Sequence, residues 1–216
     1  MGTVLDYIKE YGKYSFREMP MTEVDSLALC QLSYLKFDGM VPGVRENLPS
    51  VTLESLKVYP DYEKLFADVR YEEVNRALIE GMLAGKRYSN LKLNCYVNMV
   101  EKESEMQFSA ITYILNDGTV YIAFRGTDET IVGWKEDFNM GFEIPVPSQT
   151  EAVAFLTDNA ALTDTWYTCG HSKGGNLAMY AASSIGKRTQ PRIKAVYDYD
   201  GPGFRGDFLK SEGYLN

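Results

Sequence analysis

Ser172 stands between Gly170 and Gly174 in "YTCGHSKGGNLAMY", residues 167 to 180, a G-x-S-x-G arrangement, and its neighbour His171 is the chain's only histidine. A serine in this spacing fits a nucleophile on a sharp strand-to-helix turn, because a strained turn needs neighbours without side chains. The match alone is weak, and its surroundings strengthen it. "TWYTC" before it is β-prone, Gly170, Gly174 and Gly175 surround it, and the helix-forming "NLAMYAA" follows. Ser172 then falls at the positive end of a helix, where developing negative charge is stabilised. A capping serine at a glycine-rich helix start is the plainer alternative.

A second stretch, "YIAFRGTDETIVGWKEDF", residues 121 to 138, lies at the end of a strand and one crossover before Ser172. Together the two stretches resemble the class 3 lipases. The first part of that pattern is matched by Phe124, Arg125, Gly126, Thr127, Trp134 and Asp137, the second by Gly170, His171, Ser172, Gly174 and Gly175. The resemblance implies an α/β-hydrolase fold and a lipase-like serine ester hydrolase with Ser172 as nucleophile. It also implies an oxyanion hole formed by Thr127 and the backbone N–H of Lys173. Arg125, Asp137, Gly170 and Gly174 are expected as structural support, with Arg125 partly buried and Asp137 as its partner. "YDYDGPGF", residues 197 to 204, resembles the family's strand after the nucleophile helix. "EVDSLALCQLSYLKFDG" resembles the opening of a little-characterised bacterial branch of lipase-like hydrolases, which extends the likeness over nearly the whole chain.

Lys173 departs from the lipase pattern, where the residue after the serine is usually apolar, and is expected to place a cation at the mouth of the site. Serine followed directly by lysine is not the S-x-x-K spacing of a Ser/Lys dyad. The graver departure is the base. His171 cannot serve Ser172, because adjacent residues on a tight elbow point apart, and the triad histidine of this fold arrives after the last strand. The economical expectation is that the C-terminal part of the domain, carrying a histidine and an acid, lies beyond residue 216. Asp198 and Asp200 are alternative acids, though strand-end aspartates more often cap turns. The rival function class is a non-catalytic α/β-hydrolase-fold protein that binds or assembles, favoured by the lone histidine.

The elements that must position these residues are readable from periodicity. Residues 1–90 read as helices and loops, including a capping box from Thr22 to Asp25, a helical face of Tyr62, Leu65, Phe66 and Val69, and another of Val74, Leu78 and Met82. "MVPGVRENLPS" reads as a connecting loop. Residues 91–216 read as the sheet core: "KLNCYVNMV", "QFSAITYIL" and "TVYIAFR" are strands, the last two joined at Asn116, Asp117 and Gly118 as a hairpin. Then come the loop "EIPVPSQ", the helix "TEAVAFLTDNAAL", the strand "TWYTC", the helix "GGNLAMYAASSIG" and the strand "IKAVYDY". About five strands result, antiparallel at first and mostly parallel in the second half, in one domain spanning 1–216. Asp128 to Phe142 is either a mobile lid or a plain surface helix.

Composition narrows the partners. A net charge of −8, from 30 acidic against 22 basic residues, disfavours nucleic acid. The partner implied by the resemblance is a small-molecule ester or lipid. Cys30, Cys95 and Cys169 lack metal-ligand spacing and read as reduced, buried thiols; no metal or cofactor is implied. No apolar run reaches membrane-spanning length, no signal peptide opens the chain, and Asp6 fails the myristoylation pattern after Gly2, so a soluble cytoplasmic protein is expected. Gly201, Gly203 and Gly206 satisfy G-x-G-x-x-G, but no βαβ unit follows, and a loop is the better reading.

Overall fold

Thr22 caps the helix that follows it: its hydroxyl accepts from the Asp25 N–H while the Asp25 carboxylate accepts from the Thr22 N–H at 2.8 Å. The expected capping box therefore forms, in a computed structural model that describes residues 2–67, 69–128, 130–161 and 163–216. Its helices are α1 (Val4–Tyr11), α2 (Glu23–Leu32), α3 (Glu72–Leu83), α4 (Lys86–Ser89), α5 (Ile131–Asn139), α6 (Pro147–Asn159), α7 (Lys173–Ser184) and α8 (Glu212–Leu215). Its strands are β1 (Val51–Thr52), β2 (Lys92–Glu101), β3 (Met106–Ile114), β4 (Val120–Phe124), β5 (Trp166–His171) and β6 (Ile193–Tyr199).

The strands form one sheet in the order β1-β2-β3-β4-β5-β6. The fold is therefore mixed α/β. β1 runs antiparallel to β2, and β5 pairs parallel with β6 from Tyr167 opposite Ala195 to His171 opposite Tyr199. The turn from β3 to β4 is closed by Leu115 N–H to Thr119 O at 2.9 Å and Gly118 N–H to Leu115 O at 3.0 Å. Gly118 has φ of +92°, a conformation that favours glycine, so the hairpin falls where its turn residues placed it. Among the described residues there are six strands where about five were expected. The extra one, β1, is two residues long, too short to carry a period.

The chain divides into two compact units, Met1–Tyr96 with Ile111–Tyr121, and Val97–Ala110 with Ile122–Asn216. In the first, α1, α2, α3 and α4 pack on one another around Ile8, Leu29, Leu32, Leu78 and Met82. Val74, expected on the buried face of α3, is exposed; Asn75 takes the buried position and donates to Arg70 O at 2.9 Å. Tyr62–Phe66 forms a 3-10 turn with Leu65 and Phe66 buried. Arg87 and Asp25 make a fully buried ion pair, Nη2 to Oδ2 2.5 Å and Nε to Oδ1 2.6 Å. Asn116, in the hairpin turn, accepts from Phe16 N–H and donates to Lys86 O, tying the turn to α4.

In the second unit α6 and α7 pack on each other, and α7 lies against β5 and β6. Phe108, Phe124 and Phe155 form a triangle of rings with centroids 5.9–6.2 Å apart at its centre. Pro147, expected in a loop, occupies the first turn of α6, where a missing N–H costs nothing. Residues 201–205 carry no regular structure, so the three glycines of "GPGFRG" lie in a loop and a turn. Cys30, Cys95 and Cys169 are buried and outside any disulfide. Among the described residues no helix is long and apolar enough to cross a membrane.

Candidate functional site

β5 ends at His171, α7 begins at Lys173, and the single residue between them is Ser172. Its φ of 55° and ψ of −129° lie in a region that L-residues avoid at a cost of roughly 1–3 kcal/mol. Three hydrogen bonds hold it there. The Ser172 N–H donates to Tyr199 O of β6 at 2.9 Å, and Ser172 O accepts from the N–H groups of Gly175 at 2.9 Å and Asn176 at 3.3 Å.

Gly170 and Gly174 are required by close approach of backbone, and Gly175 lies against a carboxylate. A Cβ on Gly170 would lie 2.0 Å from the carbonyl of Gly174, one on Gly174 would lie 2.2 Å from Phe124 O, and one on Gly175 would lie 2.0 Å from Asp198 Oδ1. The contact between Gly174 and Phe124 also fixes where the turn sits: against the end of β4, which leads directly into Arg125, Gly126 and Thr127. The two stretches singled out in the sequence therefore meet. The side chain of Ser172 is half-buried and makes no capping bond to α7, whose N-terminus carries partial positive charge.

Thr127 is half-buried, and its hydroxyl donates to Asp137 Oδ2 at 2.6 Å. Burial pushes the Asp137 carboxyl above its ordinary value, a shift opposed by the Thr127 hydroxyl and the Lys173 charge. Asp137 is thus the partner of Thr127 and not of Arg125. Arg125 is 4% exposed and donates to Asn98 Oδ1 at 2.7 Å, with Asp128 at 3.8 Å, while its N–H continues the ladder to Ser109 O. Burial and pairing agree with the sequence reading; the partner is corrected, because α5 presents Asp137 to the loop one residue pair further on.

Lys173 corrects a second expectation. Its ammonium is not at the mouth of the site. The side chain is 1% exposed and donates to Gln107 O at 2.7 Å, Gln107 Oε1 at 2.6 Å and Glu136 Oε2 at 3.0 Å. Burial pushes this amine below the ordinary lysine value, and the Glu136 carboxylate opposes the shift. Glu136 is itself fully buried and accepts from the Gln107 N–H and the Ser148 N–H, both at 2.9 Å. Glu136 and Gln107 were not singled out by sequence. One signal pointed at them: a lysine where a buried apolar residue belongs must find an acid, and "WKEDF" supplies one.

His171 is exposed at the end of β5. Asp198 accepts from the Gly201 N–H at 2.9 Å and so caps the turn after β6, and Asp200 is exposed in that turn with φ of 58°. Asn176 Nδ2 donates to Pro202 O at 2.8 Å and its Oδ1 accepts from Gln149, which ties the same turn to α7 and α6. In the segment from Asp128 to Phe142, Glu129 lies outside the described residues. The rest forms α5, which faces inward with Gly133, Glu136 and Asp137 and outward with Ile131, Trp134 and Phe138.

Fold and site define an α/β protein with a serine on a glycine-lined strand-to-helix turn. The chain belongs to the Mbeg1-like family, whose model matches residues 82–216 and so spans every residue of this site. No curated protein and no solved structure matches it.

Proposed function

We propose that the protein is a serine ester hydrolase with an α/β-hydrolase, lipase-like core, and that Ser172 is its nucleophile. The observation that carries this reading is the backbone of Ser172: a positive φ at a non-glycine residue, held by β6 and α7 in a turn packed closely at Gly170, Gly174 and Gly175. Such strain is kept where it aims a side chain. In this reading Ser172 Oγ attacks the ester carbonyl while a base takes its proton. The oxyanion so formed is received by the backbone N–H groups of Lys173 and Thr127, and collapse expels the alcohol with that proton. Water then cleaves the acyl-serine by the same route in reverse. No cofactor enters. His171 adjoins the nucleophile on the elbow and is not the base in this reading.

Labelling tests it directly. The protein is expected to be phosphonylated by an alkyl fluorophosphonate at Ser172, located by peptide mass spectrometry, and to hydrolyse a short-chain p-nitrophenyl ester. Ser172→Ala is expected to lose both, turnover falling by about 10⁴-fold or more. An inert wild type, or a labelled Ser172→Ala, removes the assignment. The first of those outcomes favours the binding or assembly protein to which the single histidine also points.

A further inference from the structure

We infer that α5 braces both oxyanion donors through consecutive residues, Glu136 holding Lys173 and Asp137 holding Thr127, which makes Glu136 a positioning residue. The inference rests on the serine hydrolase reading above and goes beyond it in assigning a role to groups that touch no substrate.

Lys173 is the residue whose N–H would receive the oxyanion, and its side chain runs into the protein. There its ammonium meets three acceptors within 3.0 Å, two from Gln107 on β3 and one from Glu136 on α5. The stem is 1% exposed, so its rotamers are fixed by packing as well as by charge. Glu136 is fixed in turn by the N–H groups of Gln107 on β3 and Ser148 in the first turn of α6. The first residue of α7 is thereby tied to three rigid elements. One residue further along α5, the Asp137 carboxylate accepts a hydrogen bond from the Thr127 hydroxyl at 2.6 Å, which holds the loop that carries the Thr127 N–H and leaves that N–H as the oxyanion donor. Gly133, a turn earlier on the same helix, lets α5 approach: a Cβ there would lie 2.9 Å from Thr127 Cγ2 and 3.3 Å from Gln107 Oε1.

An apolar side chain at 173 would fill the same space without any partner, and a buried ion pair is seldom more stabilising than such a replacement. What the pair adds is direction. Oxyanion donors act because they are aimed before charge develops, and a displacement near 1 Å costs about 100-fold. A clamp that reaches both donors from one helix keeps their separation constant.

The test compares wild type, Ser172→Ala, Lys173→Met and Glu136→Asp in the full chain. It measures kcat and KM for a short-chain activated ester, inhibition by an alkyl trifluoromethyl ketone that places an oxyanion in the hole, and Tm. Lys173→Met keeps the backbone N–H and the volume; Glu136→Asp keeps the charge and shortens the reach, and carries the test alone if Lys173→Met does not fold. Both are expected to lower kcat by about 10- to 100-fold with KM within about twofold, and to lose ketone affinity by the same factor. If Tm falls while kcat and ketone affinity stay within about twofold of wild type, the brace is structural only and the inference is overturned. A wild type indistinguishable from Ser172→Ala overturns the hydrolase reading first, and this inference with it.

Discussion

Gly174 shows how much one missing methyl group decides at this site. A Cβ there would sit 2.2 Å from Phe124 O and 2.9 Å from the carbonyl carbon of Arg125, both backbone atoms that cannot swing aside, so either α7 or the end of β4 must move. Gly174→Ala is therefore expected to destabilise the fold by about 2 kcal/mol or more by urea titration, as overpacking at a rigid contact does. Gly186→Ala is the control. Nothing lies within 4 Å of a Cβ at Gly186 and its φ is not positive, so a change under about 0.5 kcal/mol is expected. If the two variants melt alike, the close approach of the turn to β4 is wrong. The sequence announced Gly170 and Gly174 through their spacing to Ser172, but the reason for Gly175, the Asp198 carboxylate against it, needed β6 in place. Thr127 and Asp137 were both singled out by the sequence, the first as an oxyanion donor and the second as structural support. Their pairing was not, because spacing along a strand-loop-helix segment says which residues are near and not which of two neighbours takes the proton.

At the scale of elements, the readings based on period held best where the period was long. β6 spans the residues read as "IKAVYDY", and β2, β3 and β4 lie within a residue or two of their expected places, since β-branched and aromatic runs bounded by turn residues leave little choice. α5, read as either a lid or a plain surface helix, hid its inner face because its polarity is reversed. Its acidic residues Glu136 and Asp137 face inward, whereas Ile131, Trp134 and Phe138 are 76%, 60% and 69% exposed, and pattern rules assign the inner face to the apolar side. That inversion yields a prediction with the opposite sign to a hydrophobicity argument. Phe138→Ser removes an exposed ring whose aromatic contact is Phe142, and is expected to change stability by less than about 1 kcal/mol. Glu136→Ala leaves the Lys173 ammonium buried without its carboxylate and is expected to cost about 3–5 kcal/mol. Chemical denaturation of the two variants side by side checks it, and a costlier Phe138→Ser would mean that α5 turns its other face to the interior.

Over the whole molecule, among the described residues, an ion pair sealed from solvent lies in each compact unit: Lys173 with Glu136 in one, and Arg87 with Asp25 in the other. The first was traceable to an anomalous lysine. The second was hidden behind a capping box, because Asp25 reads completely as the third residue of α2 and nothing in its spacing announces Arg87 or Tyr88. In the structure its carboxylate accepts from the Thr22 N–H, from Arg87 through two nitrogens and from the Tyr88 hydroxyl. Burial alone pushes this carboxyl up, but the Arg87, Tyr88 and Thr22 hydrogen bonds pull harder, and it lies below the ordinary value of 3.8. The folded state thus binds this proton less readily than the unfolded chain. The stabilisation is complete above about pH 4 and is lost as the pH falls through the folded value. Tm measured from pH 7 downward is expected to decline below about pH 4 in the wild type. Asp25→Asn is expected to lose about 3–5 kcal/mol at pH 7, because it strands a buried guanidinium, and to show a shallower acid limb, because the group that titrates is gone. An acid limb of unchanged steepness in Asp25→Asn would place the acid sensitivity of the fold elsewhere among its carboxylates.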